Sequence, residues 1–262
     1  MTRATPHPFT PRCILITGAT GSIGGALAAE YAAPGTTLIL QGRNRARLQE
    51  IAAQCSGKGA RVLLKDFDIR DHERLLAWLH GISEAEPVDL AIVNAGVNIS
   101  TGADGEGEAW DEVLALIDVN IRAALATVHG VLPGMRRRGG GQIALISSLA
   151  AWRGLPETPS YSASKAALKV YGEALRDAEM RHGIRVNVVM PGYVESKMCF
   201  AMPGPKPFLW TAGKAARTIR AGLARNRARI SFPFLLSTGC FLLSVIHPAV
   251  SGRILRWLDY GA

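Results

Sequence analysis

The sequence has few cysteines and few charged residues, and each shortage excludes a class of protein. Four cysteines occur in 262 residues, without a Cys-x-x-Cys pair or a metal-ligand spacing, so we expect reduced thiols and no metal site. Charged residues make up only 19% of the chain, and its 28 glycines follow no Gly-X-Y period, which excludes a coiled coil and a collagen-like rod. Because 48% of the residues are apolar, a sizeable core can form, and we predict a compact globular fold.

A secretory signal is also lacking at the start of the sequence. Residues 1–11 are polar and rich in proline, and the first apolar run, residues 13–16, is too short for the hydrophobic part of a signal peptide. We therefore expect no export, and the sequence predicts a cytoplasmic protein.

Positive charge is confined to one end of the chain. The formal net charge is +9, and residues 214–262 hold eight Lys or Arg against one acidic residue, Asp259, which accounts for +7. Charge confined in this way indicates a local surface feature rather than a general polyanion-binding surface. No nucleic-acid partner is therefore expected.

Short apolar runs alternate with helical patterns over the first 190 residues. The six runs are residues 13–17, 37–41, 61–67, 90–93, 142–147 and 184–190. Because strands and helices alternate, the strands must pair in parallel, and continuous apolar runs indicate a sheet covered on both faces. We predict an α/β fold with a doubly wound, Rossmann-like parallel sheet, whose ligands bind beyond the carboxyl ends of the strands.

A glycine-rich turn follows the first predicted strand. Residues Thr17 to Gly24 read TGATGSIG and lead into an apolar helix. Glycines let the backbone turn sharply and approach a pyrophosphate, and a helix N-terminus offers unpaired N–H groups. The position between strand and helix favours a dinucleotide site over the alternative, an ordinary tight turn.

The end of the second predicted strand distinguishes between the two nicotinamide dinucleotides. An acidic residue there would bind the ribose 2′-hydroxyl of NAD(H), whereas an arginine pairs with the 2′-phosphate of NADP(H). The sequence has Arg43 and Arg45 there, and no acidic residue before Glu50. We therefore expect NADP(H) in preference to NAD(H), with Arg43 as the first contact and Arg45 as a second. The alternative is that both arginines belong to a solvated helix start.

Further motifs follow in order between residues 12 and 198. They are Asp68-Ile69 after the third strand, Asn94-Ala95-Gly96 after the fourth, Asn120 in the next long helix, Ser148 after the fifth strand, Tyr161 and Lys165 four positions apart, and Pro191-Gly192 after the sixth strand. Together with the glycine turn, this set resembles the compact branch of the short-chain dehydrogenase/reductase family. Two positions depart from that family's pattern, because Ser22 stands in place of a glycine and Val93 in place of an asparagine.

The resemblance implies a set of site residues. Catalysis would use Ser148, Tyr161, Lys165 and Asn120. The cofactor would contact Gly18, Thr20, Gly21, Ser22, Ile23, Gly24, Arg43, Asp68, Ile69, Asn94, Ala95, Gly96, Tyr161, Lys165, Pro191, Gly192, Val194 and Ser196.

The spacing of Tyr161 and Lys165 puts both side chains on one face of a helix. A phenol has a pKa of about 10, so Tyr161 needs a positive neighbour to exchange a proton near neutral pH, and Lys165 supplies it. The resemblance implies that Ser148 binds the substrate oxygen and that Asn120 anchors a water in a proton relay. Two alternatives are open: Ser147 as the operative serine, and Asn120 as a residue that only caps or kinks its helix.

These residues predict an NADP(H)-dependent oxidoreductase that interconverts a carbonyl and a secondary alcohol. The alternative function is a dinucleotide-binding regulatory protein without turnover, which the intact Ser, Tyr and Lys argue against. An apolar, proline-stiffened segment and three earlier apolar residues predict a bulky apolar small molecule as substrate, unless the segment is packed for structural reasons only. These residues are Cys199, Phe200, Met202, Pro203, Pro205, Pro207, Phe208, Trp210, Leu149, Trp152 and Leu155.

The C-terminal part does not follow the resemblance. Relatives commonly end with a seventh strand, whereas residues 230–252 here are uncharged and apolar, with arginines on both sides. We predict a catalytic domain of residues 1–229 and an apolar extension of residues 230–262, too broken by polar residues and proline to span a membrane. The extension would contact an anionic membrane surface from the cytoplasmic side, or another subunit of a homodimer or homotetramer. The alternative is a helix that covers the core.

Overall fold

Seven parallel strands form one sheet in a computed structural model, which describes residues 9–101, 107–202 and 204–258. The strands are β1 (Cys13–Ile16), β2 (Thr37–Gly42), β3 (Arg61–Asp66), β4 (Leu90–Val93), β5 (Gly141–Ile146), β6 (Ile184–Pro191) and β7 (Arg229–Phe232). Their order across the sheet is β3-β2-β1-β4-β5-β6-β7. The six predicted strands are present with ends within one residue of the expected ones, and the doubly wound α/β fold is confirmed.

Helices connect the strands and cover both faces of the sheet. Within the described ranges they are α1 (Ser22–Tyr31), α2 (Arg45–Ser56), α3 (His72–Ala85), α4 (Trp110–Ile117), α5 (Ala123–Arg138), α6 (Pro159–Glu179), α7 (Lys197–Ala201), α8 (Ala212–Ala224), α9 (Phe234–Val245) and α10 (Pro248–Trp257). A π-helical turn, Asp118–Arg122, joins α4 to α5.

The core lies in two layers, one on each face of the sheet. Ile14 and Ile16 of β1 belong to the cluster that packs against α1 and α8, whereas Leu15 belongs to the cluster that packs against α3 and α5. Successive strand residues point to opposite faces, so both must be apolar where helices cover both. This explains why the central strands read as continuous apolar runs.

The strand order places the binding crevice. β1 pairs with both β2 and β4, so the chain leaves β1 in one direction across the sheet and later continues in the other. At such a switch point the connections after the two neighbouring strands diverge and leave a crevice at the carboxyl edge. The motifs that follow β1 and β4 therefore meet there.

The seventh strand corrects two predictions about the C-terminal part. The sequence predicted no such strand, yet β7 pairs in parallel with β6. β7 is an edge strand with alternating burial, so it lacks the continuous apolar run that marks the others. The predicted boundary between residues 229 and 230 falls inside β7, and Ile230 and Phe232 belong to the core. The apolar extension therefore begins after Phe232.

One segment, residues 110–138, is long and apolar enough to cross a membrane by length and composition alone. Half of its most apolar window is buried inside the fold, and Val128, Val131 and Met135 belong to the core. This segment comprises α4, the π-helical turn and α5. Its apolar character is explained by packing against the sheet.

Candidate active site

A cavity of about 970 Å³ opens at the carboxyl edge of the sheet. Its walls come from the segments after the first six strands and from parts of α6, α7, α9 and α10. Nearly all of the predicted site residues line it. Among the catalytic and cofactor-binding residues that the resemblance implies, the exceptions are Gly24 and Asn120, which do not line the cavity but support residues that do.

The glycine turn after β1 is fixed by close backbone packing. Gly18 has φ +63°, and a Cβ there would lie 2.7 Å from the Ala95 Cα. A Cβ at Gly24 would lie 2.5 Å from the Gly18 carbonyl oxygen, so neither position has room for a side chain. The Asn94 amide nitrogen donates to the carbonyl oxygens of Thr17 and Gly18, both at 3.0 Å. Asn94 therefore braces the turn from β4.

The first turn of α1 faces the cavity without a side-chain cap. The N-cap residue is Gly21, which has no side chain to accept from the helix N–H groups. Thr20, Ser22 and Ile23 line the cavity beside it. An uncapped helix N-terminus next to glycine backbone binds phosphate groups through its N–H donors and its dipole. The residues present therefore fit the pyrophosphate of a dinucleotide.

Two arginines after β2 reach the cavity, and one of them is the arginine that the sequence suggested as the first contact. Arg43 lines it, and its Nη1 lies 3.9 Å from Asp68 Oδ2. Arg45, the expected second contact, does not line the cavity and pairs with Asp66 at 3.5 Å. Arg47 lines it instead, because it lies two positions further into α2 and therefore points to the other side of the helix.

Asp68 and Ile69 form the wall after β3. Hydrogen bonds from Arg70, at 2.7 to 3.1 Å, hold the pKa of Asp68 below its usual value. Ile69 is buried in the core and also lines the cavity. The predicted pair therefore offers one carboxylate and one apolar side chain to the cavity.

Ser148, Tyr161 and Lys165 line the cavity together. A hydrogen bond joins Tyr161 to Ser148, and the Lys165 Nζ lies 5.6 Å from the centre of the Tyr161 ring. Lys165 donates from Nζ to the Ile146 carbonyl oxygen at 3.1 Å. A Cβ at Gly96 would lie 3.2 Å from that nitrogen, so the glycine keeps the space beside Lys165 open.

Burial shifts the pKa values of Tyr161 and Lys165 in opposite directions. It raises the pKa of Tyr161, while the hydrogen bond with Ser148 opposes the rise. It lowers the pKa of Lys165 from 10.5 to about 8. Loss of solvent around the phenol is the largest cause of the raised Tyr161 pKa, and the expected effect of Lys165 on that pKa stays a prediction.

The two serines after β5 have different roles. Ser147 is buried and donates from Oγ to the Lys165 carbonyl oxygen at 2.7 Å. Ser148 is half-buried, and its Oγ accepts from the Ala150 N–H at 3.1 Å. Since a hydroxyl donates only one hydrogen, Ser147 is committed to holding the backbone of α6. Ser148 is the serine that can face a substrate.

Asn120 lies in the π-helical turn and is fully buried. Its Oδ1 accepts from the Val97 N–H at 2.8 Å, and its Nδ2 donates to the Val97 carbonyl oxygen and to Ser164 Oγ, both at 3.0 Å. The side chain therefore ties the segment after β4 to α6. This positions Gly96 and Lys165, and the π-helical turn accords with the alternative that Asn120 distorts its helix.

The segment after β6 continues the wall. Pro191, Gly192, Val194 and Ser196 all line the cavity. Val194 is also buried in the core, and Ser196 caps α7 by accepting from the Cys199 N–H at 3.0 Å. The Ser196 hydroxyl thus fixes the start of the helix that borders the cavity.

The structure brings only some of the expected apolar residues to the cavity. Cys199, Met202, Pro205, Pro207, Phe208, Leu149 and Leu155 line it. Trp152 packs against Phe241, Trp210 stacks on Phe232, and Phe200 is largely exposed, so these three do not. Pro203 lies outside the described residues. The cavity wall is nevertheless mainly apolar in this region.

Comparison with known proteins agrees with this arrangement. The model of the short chain dehydrogenase family matches residues 12–202. The chain belongs to this family. It is 34% identical over 236 residues to an uncharacterized oxidoreductase of Myxococcus xanthus, covering 90% of this chain and 92% of that protein. Like its relatives, this short-chain dehydrogenase is an oxidoreductase.

Solved structures share the fold of this short-chain dehydrogenase. One is a short-chain dehydrogenase from Sphingobium yanoikuyae in complex with NADPH, with a TM-score of 0.78 and 24% identity over 90% of this chain and 97% of that one. Another, from Mycobacterium paratuberculosis, is bound to NAD and has a TM-score of 0.73 and 25% identity over 84% and 94%. The two cofactors are thus both found on this fold.

Sequence reasoning missed the cover of the cavity in this short-chain dehydrogenase. Leu235, Leu236, Gly239, Cys240 and Leu243 of α9 line it, as do Leu255 of α10 and Leu258. Their spacing of three to four positions in α9 was visible in the sequence. Without the position of the helix, however, that pattern could not distinguish a cavity wall from an exposed face.

Proposed function

We propose that this short-chain dehydrogenase interconverts a ketone and a secondary alcohol with NADP(H). The observation that carries the proposal is the meeting of Ser148, Tyr161 and Lys165 in the cavity onto which the glycine turn opens. A nicotinamide dinucleotide bound there supplies or accepts the hydride, and when oxidised it adds a positive charge. The residues of the chain must then bind the substrate oxygen and move one proton.

Tyr161 is the group that moves the proton. In ketone reduction its hydroxyl donates the proton to the substrate oxygen, and in alcohol oxidation the phenolate takes it back. Ser148 donates a hydrogen bond to the same oxygen, which favours the negative charge that develops there. The Lys165 ammonium stabilises the phenolate through its charge, and Asn120 positions the backbone next to Lys165.

Arginines support the preference for NADP(H). Arg43 and Arg47 line the cavity after β2, and the side chain of Arg43 is 64% exposed and opposed only at 3.9 Å by Asp68. A guanidinium in this position can pair with a 2′-phosphate. Relatives of this fold bind either dinucleotide, so the preference rests on these arginines.

The substrate is an apolar small molecule in this proposal. Leu149, Leu155, Met202, Phe208 and Leu236 line the cavity around the catalytic side chains. Apolar walls favour an apolar substrate because they remove its surface from water.

The cytoplasmic location and the assembly into a homodimer or homotetramer stay predictions.

The experiment that tests the proposal is Tyr161→Phe, which removes only the hydroxyl. NADPH binding should be retained, measured by titration of cofactor fluorescence, and NADPH oxidation with any ketone that the parent accepts should be lost. Tyr171→Phe is the matched control on the same helix, because Tyr171 does not line the cavity. Turnover by the Tyr161 variant at the parent's rate would refute the mechanism. A parent that binds NADPH and is inert with every ketone would instead favour a regulatory role.

A further inference from the structure

Helix α9 has two apolar faces. Leu236, Gly239, Cys240 and Leu243 line the cavity, at the spacing of one helix face. The outer face carries Phe234, Leu235, Phe241, Leu242 and Val245, which are 78%, 66%, 43%, 51% and 66% exposed. A helix that covers the cavity needs an apolar inner face to bind an apolar substrate. The apolar character of its outer face therefore requires a separate explanation.

Helix α10 contacts α9 and also exposes apolar side chains. Its Leu255 and Ser251 are buried, and Ser251 accepts from the Arg153 Nε at 3.1 Å. Trp257 is 83% exposed and Val250 is 47% exposed. Large exposed apolar residues gathered on one surface mark an interaction site.

The positive charge of α10 restricts which partners the exposed surface of α9 and α10 can bind. Arg253 and Arg256 are exposed on α10. Residues 230–258 contain no Asp or Glu, and Asp259 is the one acidic residue that follows them in the sequence. In a twofold interface the same patch faces itself, so these arginines would approach each other with no carboxylate from this segment between them. Anionic lipid headgroups offer the opposite charge, together with an apolar layer for the Trp and Phe side chains.

We propose that the outer surface of α9 and α10 docks on an anionic lipid bilayer, and that the substrate is a lipid-soluble ketone or alcohol that enters the cavity from it. The docking half stands on the surface alone, whereas the substrate half rests on the proposed function. Leu235, Leu258 and Phe208 carry the connection, because each lines the cavity and is also exposed, by 66%, 43% and 53%. The edge of the cavity is thus part of the docking surface.

The dimensions favour a protein that lies on the bilayer. α9 has 12 residues and α10 has 10, about 18 and 15 Å at about 1.5 Å per residue, against about 30 Å of hydrocarbon. Neither helix can cross. An interfacial helix instead inserts its apolar side to the depth of the acyl boundary and keeps its arginines among the headgroups.

The test of docking is flotation of the full chain with phosphatidylcholine vesicles that contain or lack phosphatidylglycerol. The parent should float with the anionic vesicles, and less so in high salt. Phe234→Asn with Trp257→Gln should abolish flotation. Arg253→Gln with Arg256→Gln should weaken partitioning about 30-fold, because each arginine near an anionic leaflet contributes about 1 kcal/mol and about 1.4 kcal/mol is tenfold.

Matched controls lie elsewhere on the surface. Trp110→Gln with Val170→Asn removes two apolar side chains that are 68% and 62% exposed, and Arg137→Gln with Arg181→Gln removes two exposed arginines. Both pairs should float like the parent. Absence of flotation in the parent, or flotation that survives the Phe234 and Trp257 changes, would overturn docking. A dimer in solution that these changes dissociate, without flotation, would assign the surface to a second copy.

The substrate half is tested with two ketones, one soluble in water and one carried in the vesicles. The variant of Phe234 and Trp257 should oxidise NADPH with the soluble ketone at the parent's rate, because neither residue lines the cavity. It should be at least tenfold slower with the vesicle-borne ketone. Equal rates with both would overturn entry from the bilayer. Flotation without turnover of any ketone would overturn the substrate half together with the proposed function and leave docking supported.

Discussion

Replacing Lys165 with methionine should change how the stability of the protein depends on pH. Lys165 is 4% exposed, and burial lowers its pKa from 10.5 to about 8. Methionine keeps most of the apolar stem and removes the charge. Between these two pKa values the unfolded chain binds a proton at Lys165 that the folded chain does not bind. The free energy of unfolding of the parent therefore rises with pH in this window.

The size of the effect follows from the two pKa values. Burial of Lys165 costs the folded state about 3 kcal/mol at pH 7, relative to a lysine in water, and about 1 kcal/mol at pH 9.5. The parent should therefore gain about 2 kcal/mol more than Lys165→Met between these pH values. Tyr161 does not interfere, because its pKa is raised above 10 and the phenol stays neutral in this range.

The assay is urea unfolding of both proteins at pH 7 and pH 9.5, followed by circular dichroism. Taking the difference between two pH values removes the constant cost of leaving the Ile146 carbonyl without its Lys165 donor. Lys58→Met, which removes an exposed lysine, is the control. If the free energy of unfolding depended on pH identically in the parent and in Lys165→Met, the lowered pKa of the buried Lys165 would be refuted. The variant should also lose turnover, so this lysine is kept for chemistry at a cost in stability.

Three further changes test the site. Arg43→Ala should weaken NADPH binding at least tenfold and leave NADH binding unchanged, since a charged hydrogen bond contributes about 1.5 to 3 kcal/mol. Arg45→Ala should change the affinity for neither cofactor. Equal affinity of the parent for both cofactors would contradict this prediction. Ser148→Ala should lower kcat about 100-fold at unchanged NADPH affinity, whereas Ser147→Ala should lower the free energy of unfolding by about 1 kcal/mol. Gly239→Leu should fill part of the cavity and shift the preference among ketones graded by apolar size toward smaller ones, and an unchanged preference would separate α9 from the substrate.

Local patterns were sufficient to predict the sheet and the edge at which ligands bind. The alternation of apolar runs with helical stretches requires parallel pairing whatever the tertiary details, since each crossover returns the chain to the same edge. The same logic predicted that residues following β1, β4, β5 and β6 would meet. The resemblance to the short-chain dehydrogenase family, and not strand pairing, implied that Ser148, Tyr161 and Lys165 share a site.

The hydrogen-bond and ion-pair partners of individual side chains could not be predicted in the same way. Ser147 differs from Ser148 in that its hydroxyl donates to the Lys165 carbonyl oxygen. Adjacent residues of an extended chain point to opposite sides, so the register of the segment decides which serine faces the cavity. Arg47 lines the cavity in place of the expected Arg45, because the start of α2 sets which side chain turns toward the cavity. Such choices depend on angles that no spacing in the sequence fixes.

The C-terminal part shows the same division most clearly. The sequence by itself determined that residues 230–252 are apolar and uncharged and lie between arginines, because residue composition and order can be read without a structure. Only the tertiary structure decided that Ile230 and Phe232 enter the sheet, that one face of α9 closes the cavity and that the other faces outward. The physical reason is that hydrophobic burial has no direction of its own. Which apolar surface is covered is therefore decided by the elements that happen to lie beside it.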